Sequence, residues 1–169
     1  FRFLGGDVDV RRESALGQSR EDRWESAKAS ERAARGATSA LDGVALALPA
    51  LMRAEKLQKR AARAGFDWPD TEGPVDKLRE EMAELAAAET AAHRAEEAGD
   101  LLFAAVNLVR AHGVPAEEAL RAANAKFERR FRAMEAMAAG QGRDFTALDL
   151  DGQEALWQAV KASEASKAP

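Results

Sequence analysis

Apolar positions recur at helical spacing through most of the chain, and no stretch alternates with the period of two that a half-buried strand shows. In LPALMRAEKLQKRAARAG, Ala50, Ala54, Leu57, Ala61 and Ala64 share a face, flanked by Arg53, Lys56, Lys59, Arg60 and Arg63. Pro49 suits the first turn of that helix and Gly65 its C-terminal end. Pro74 is predicted to open a second helix, running to about Ala88. A third spans about Ala91 to Ala111 and is closed by His112-Gly113, with Pro115 beyond. Pro115 then starts a long helix that ends at Gly140, with acids in its first turn matching the helix dipole. A last helix is predicted from about Gly152 to Ala162, and an early one from about Glu21 to Arg35. Residues 1–20 read as a flexible lead-in, 21–46 as a linker helix and loop, 47–163 as the principal helical domain and 164–169 as a tail. Phe66 and Trp68, in the turn before Pro69, are expected to pin that turn onto the core.

Two acidic clusters interrupt the alanine-rich pattern. Glu80, Glu81 and Glu84 form the first, and Glu96, Glu97 and Asp100 the second. Residues three and four apart share a helix face, so Glu81 pairs with Glu84 and Glu97 with Asp100. If the two segments pack antiparallel, four carboxylates converge, and their repulsion calls for a cation between them. Mg²⁺ is the natural candidate, as it takes hard oxygen ligands and works with carboxylates and substrate phosphates. The run LLFAAVNLV directly after Asp100 places the acids at the edge of a core. An E-E-x-x-E cluster alone is most often a solvated surface. The second cluster, in matching phase, shifts that balance.

Further along, KFERRFR carries Lys126 and Arg130 four apart on one face. An acid cage for a metal with a basic helix face is what a polyphosphate ligand needs. Ordinary salt bridging, such as Glu128 with Arg132, is the plainer account of the same residues.

Composition narrows the choices. Hydrophobic content of 46% with only 6% aromatics favours closely packed helices over a sheet sandwich. The absence of cysteine excludes disulfides, thiolate zinc and cysteine nucleophiles, and His93 and His112 alone cannot build a histidine zinc site. A net charge of −4 argues against nucleic-acid binding. There is no apolar run near eighteen residues and no secretory signal, so no membrane partner and a cytoplasmic location are expected. Opening on Phe1 rather than Met, the chain is expected to be a fragment or a processed form.

LPALMRAEKLQKRAARAGFDWPD, VDKLREEMAEL, EEAGDLLFAAVNLVRAHG and EEALRAANAKFERRFRAME together closely resemble the MazG family of nucleoside triphosphate pyrophosphohydrolases. Within that family the chain is similar to the C-terminal half of the two-domain bacterial form, and no second E-E-x-x-E set lies in residues 1–46. The resemblance implies an all-α, MazG-like catalytic helical domain over 47–163 that dimerises. It further implies Mg²⁺-dependent cleavage of nucleoside triphosphates to the monophosphate and pyrophosphate, with Mn²⁺ able to substitute. Its metal ligands fall on Glu81, Glu84, Glu97 and Asp100. Its nucleotide-binding positions fall on Lys77, on His93, Arg94 and Glu96, on Asp100, on Lys126, Arg130 and Trp157, and on Lys28. Glu80 or Glu81 is expected to orient the attacking water or take its proton, with Glu81 acting mostly as a ligand. A homodimer or higher assembly is expected. Ala104, Ala105 and Leu108 on one helix and Ala119, Ala122 and Ala123 on another permit close approach, and a second copy would complete a four-helix-type core. The rival reading is a helical dimerisation or adaptor module with surface acids and no turnover. Its weak point is the lack of sustained apolar heptads.

Overall fold

The computed structural model describes residues 38–166 and, before them, positions 20, 23, 24, 26–28, 30, 31, 34 and 36. The lead-in expected over 1–20 lies outside the described residues except for position 20. Every described position from 20 to 34 is helical, as the early helix required. Among the described residues all regular structure is helical. Five α-helices follow: α1 (Ala50–Arg63), α2 (Glu72–Ala87), α3 (Ala91–Ala111), α4 (Ala116–Gly140) and α5 (Leu150–Ala165), with a 3₁₀ turn at Phe145–Ala147 between the last two. No described helix is long and apolar enough to cross a membrane. The chain divides into two compact units between Ala111 and His112, so the domain predicted over 47–163 spans both.

In the first unit α3 packs against both α1 and α2. The α2–α3 connection, residues 88–90, is short enough to fold the two helices back on one another. α1 closes in a Schellman arrangement, in which the Gly65 amide donates to Ala62 O and the Phe66 amide to Ala61 O, each at 3.0 Å. Gly65 sits at φ +89°, where a side chain would be strained. α2 begins two residues earlier than Pro74 predicts. Asp70 Oδ1 accepts from the amides of Glu72 (2.9 Å) and Gly73 (3.4 Å), satisfying donors that the first turn leaves unpaired. Pro74 is instead fully buried within that turn. Ala88, Ala104 and Val106 are buried in this unit, while Met82, Leu102 and Phe103 remain exposed. The anchor expected of Phe66 is not formed: its side chain is 83% exposed. Trp68 does pack, lying so close over Gly73 that any side chain there would overlap its ring.

The second unit has its own small core of Met134 and Ala138 from α4 and Leu156 and Val160 from α5, with Trp157, Phe145 and Leu148 against it. An aromatic row extends it: Phe127 lies 5.9 Å from both Phe131 and Trp157, and Phe131 meets Phe145 edge-on at 5.2 Å. α5 is longer than predicted at both ends. At its start Asp149 Oδ1 accepts from the Gly152 amide at 2.9 Å, which places the N-cap at Asp149 and the first helical residue at Leu150.

Candidate active site

Glu81 comes from α2, and Glu97 and Asp100 from α3. The hairpin brings one carboxylate oxygen of each within 4.8 Å of the others. The three differ in environment. Glu81 is 3% exposed, the Glu97 side chain 12%, and Asp100 is open to solvent. Glu84, one turn on from Glu81, is outside that close set and exposed, yet it feels the others. Desolvation first, then the charges of Glu81, Glu97 and Glu80, push its carboxyl above the ordinary range, with Lys77 pulling the other way.

One cation serves the α2 side. Lys77 Nζ lies 2.7 Å from Glu81 Oε1 and 2.9 Å from Glu80 Oε1, as its i+4 and i+3 neighbours allow. Its hydrogen bonds to Glu81 and then Glu80 push its pKa well above the usual lysine range. Glu81 Oε2 is left buried with no hydrogen-bond partner. A buried carboxylate oxygen without a donor is rare in folded proteins. The Glu81 carboxylate lies beside two further carboxylates, so the donor set is all hard oxygen with excess negative charge. That is the chemistry of a Mg²⁺ or Mn²⁺ site, and these residues fit such an ion.

The other predicted residues fall into separate settings. His93 Nε2 is 2.8 Å from Glu97 Oε1, and its amide is held by Thr90 Oγ1 at 3.1 Å. Arg94 Nη1 donates to the carbonyls of Ala88 (3.2 Å) and Glu89 (3.0 Å), tying down the end of α2. Glu96 is exposed beside the cluster and Glu80 is half-exposed on Lys77. Lys28 sits 5.3 Å from the centre of the Trp24 ring. Lys126, Arg130 and Trp157 belong to the second unit. There the Arg130 guanidinium lies 5.5 Å from the Trp157 ring centre, and its Nε donates to Glu164 Oε2 at 2.7 Å. Arg129 shares that carboxylate, 3.0 Å from Oε1. The bond from Arg130, ahead of that from Arg129, holds the Glu164 carboxyl below its usual range. Sequence reasoning missed Glu164. It stands 34 positions from Arg130, in a segment read as a tail, so no local spacing linked the two.

Comparison with known proteins bears on the family of the chain. The family model of phosphoribosyl-ATP pyrophosphohydrolase matches residues 50–127, which include all three converging carboxylates. A protein of Escherichia coli strain K12 described as a nucleoside triphosphate pyrophosphohydrolase is 50% identical over 147 residues, covering 84% of this chain and 56% of its own. The nucleoside triphosphate pyrophosphohydrolase/pyrophosphatase MazG of Thermotoga maritima is 37% identical over 141 residues, covering 83% of this chain and 55% of its own. The chain thus spans about half the length of the curated relatives it matches. With an all-helical fold, the acidic hairpin and 50% identity in agreement, this chain belongs to the MazG family.

Proposed function

We propose that this chain is a Mg²⁺-dependent hydrolase that cleaves nucleoside triphosphates at the α-phosphorus, yielding the nucleoside monophosphate and pyrophosphate. The observation that carries this reading is Glu81: it is 3% exposed, one of its carboxylate oxygens is buried without a partner, and its carboxylate meets those of Glu97 and Asp100. An adaptor with merely solvated acids gives no reason to bury one of them in that state. The names of the two relatives point to the same class of reaction.

Glu81, Glu97 and Asp100 would hold the ion, and Glu84, which feels the charges of Glu81 and Glu97, is proposed as a further ligand. A bound Mg²⁺ supplies charge neutralisation for the phosphate oxygens and makes water a better nucleophile near neutral pH. Lys77 pairs with Glu81 through Oε1 at 2.7 Å, and Oε2, without a partner, would be left for the ion. Glu80, held by the same ammonium but open to solvent, would orient water or take its proton. Attack at the α-phosphorus needs no covalent intermediate, and the chain has no cysteine to form one. Within the second unit, Lys126 and Arg130 are proposed as phosphate-binding cations, with Trp157 beside Arg130. A homodimer in the cytoplasm is proposed as the working form. It would cover the exposed Met82, Leu102 and Phe103 of the first unit. Pyrophosphate release from a panel of ribo- and deoxyribonucleoside triphosphates, with Mg²⁺ and with chelator, tests the reading. Release that requires Mg²⁺ supports it, and no release from any member of the panel overturns it.

A further inference from the structure

Arg129 and Arg130 are neighbours on α4, and both reach a single carboxylate on α5. Arg130 Nε donates to Glu164 Oε2 at 2.7 Å. Arg129 gives Nε at 3.1 Å and Nη2 at 3.0 Å to Oε1. The two arginines are not equivalent. The Arg129 side chain is 61% exposed, whereas that of Arg130 is 21% exposed and its guanidinium lies against the Trp157 ring. Arg130 is therefore held twice, by an aromatic face and by a charged hydrogen bond to its Nε.

Both holding groups come from one face of α5. Trp157, Val160 and Glu164 are spaced i, i+3 and i+7, and Val160 is buried in the core that α5 shares with Met134 and Ala138 of α4. Packing of that core thus sets where the carboxylate stands. The bond to Nε matters because a guanidinium is a rigid fork. With Nε taken by Glu164, Nη1 and Nη2 of Arg130 make no hydrogen bond among the described residues. That remaining edge is the one that meets two phosphate oxygens side by side.

Charge separates two accounts of the carboxylate. Had Glu164 only neutralised Arg130, the pair would have lost its attraction for an anion. With Arg129 on the other oxygen, two guanidiniums and one carboxylate keep a net positive charge. Glu164 can therefore align Arg130 without cancelling the charge of the group. A staple between α4 and α5 needs only the exposed Arg129, and gives no reason for a second, half-buried guanidinium on the same carboxylate.

We propose that Glu164 is a positioning residue, which accepts from Arg130 Nε and so presents the free Nη1–Nη2 edge of Arg130 to the phosphate groups of the nucleotide. Arg129 keeps the group positive. That the anion is a nucleotide's phosphates rests on the hydrolase reading above, while the clamp on Arg130 does not.

The full chain is assayed with ATP and Mg²⁺ as wild type, Glu164→Gln, Arg130→Ala and the double variant. The sign of the Gln effect distinguishes the roles. Removing a negative charge beside a phosphate-binding cation lowers KM if Coulomb attraction alone counts. Loss of alignment raises it: an increase of about tenfold in KM is expected, with kcat within about twofold of wild type, the pattern of a weakened binding contact. In the Arg130→Ala background the same replacement should no longer raise KM, because the residue it acts through is gone. A lower or unchanged KM in Glu164→Gln overturns the proposal. An equal rise in both backgrounds does so too, as it marks a structural role.

A second arm needs neither metal nor turnover. The chain labelled with ¹⁵N at arginine is titrated with inorganic tripolyphosphate and followed at the Arg130 Nε–H signal. A shift in wild type, with its midpoint moved to about tenfold higher concentration in Glu164→Gln, is expected. No shift in wild type, or the same midpoint in both, overturns the proposal. Should circular dichroism show Glu164→Gln unfolded, Glu164→Asp takes its place with the same expectations, since it keeps the charge and falls one carbon short of Arg130. A wild type that binds tripolyphosphate at Arg130 but releases pyrophosphate from no triphosphate would sink the hydrolase reading and leave the clamp standing.

Discussion

Replacing Glu97 by Gln removes one charge from the acidic site while preserving its shape, and the consequences for stability can be worked out. Glu81 and Asp100 each place an oxygen within 4.8 Å of the Glu97 carboxylate. Two unit charges at that distance repel by about 3.5 kcal/mol at an effective dielectric of about 20, and by about 0.9 kcal/mol in bulk water. Glu81, almost wholly buried, belongs nearer the first value and Asp100, open to solvent, nearer the second. Lys77, 2.7 Å from Glu81, offsets most of the Glu81 contribution. His93 loses little, because the Gln oxygen still accepts from it. The net relief is about 1 kcal/mol, which raises the melting temperature of a chain this size by about 2–4 °C. Mg²⁺ should act in the opposite order. At a hundredfold excess over its Kd it adds about 2.7 kcal/mol to the wild type, or about 5–11 °C, and much less to the variant. Thermal melts by circular dichroism, in chelator and in Mg²⁺, read both effects. A variant no more stable than wild type in chelator, yet equally stabilised by Mg²⁺, would refute the reasoning.

Other outcomes follow from the same geometry. Glu84 has a raised folded-state pKa, so its contribution to stability is present below its ordinary value of 4.5 and lost as pH rises through the folded value. In chelator, Glu84→Gln should therefore remove part of the decline in melting temperature over that window, and an unchanged profile would count against the coupling of Glu84 to its neighbours. Glu164 has the opposite sign: its contribution is present above 4.5 and lost as pH falls through the depressed folded value. Glu164→Gln should lower stability at neutral pH and flatten the acid limb, as read by melts across pH. Light scattering should give the mass of two chains, and a monomer at micromolar concentration would exclude the proposed assembly.

Much of the acidic hairpin could be read from the chain, because a helix period is local. The spacing of Glu81, Glu97 and Asp100 sufficed to place them on facing sides of two helices joined by a short link. The bounds of α3 were legible for the same reason, with Gly113 at φ +72° just past its end. Where the reading slipped, a short polar side chain had intervened. Asp70 draws the start of α2 back to Glu72, and Asp149 draws that of α5 back to Leu150, whereas the sequence pattern points to Pro74 and Gly152 as the boundaries. Burial of the aromatics was not legible, since it depends on partners distant in sequence. Phe66 has an anchor's composition and a solvent-facing position. Buried Gln58 could have been noticed: it follows Ala54 by four and precedes Ala61 by three, a polar residue in the register of an apolar stripe. Glu164 carried no such mark, because its meaning comes from Arg130, 34 positions earlier.

The central claim concerns which phosphorus is attacked, and isotope placement tests it directly. The chain is incubated with ATP and Mg²⁺ in water enriched in ¹⁸O, and the products are separated and weighed by mass spectrometry. Attack at the α-phosphorus by water, with the acidic hairpin holding the ion, is expected to give AMP carrying one ¹⁸O together with unlabelled pyrophosphate. Glu97→Gln should give neither. Label found in pyrophosphate, or the appearance of ADP with labelled inorganic phosphate, would contradict the assignment.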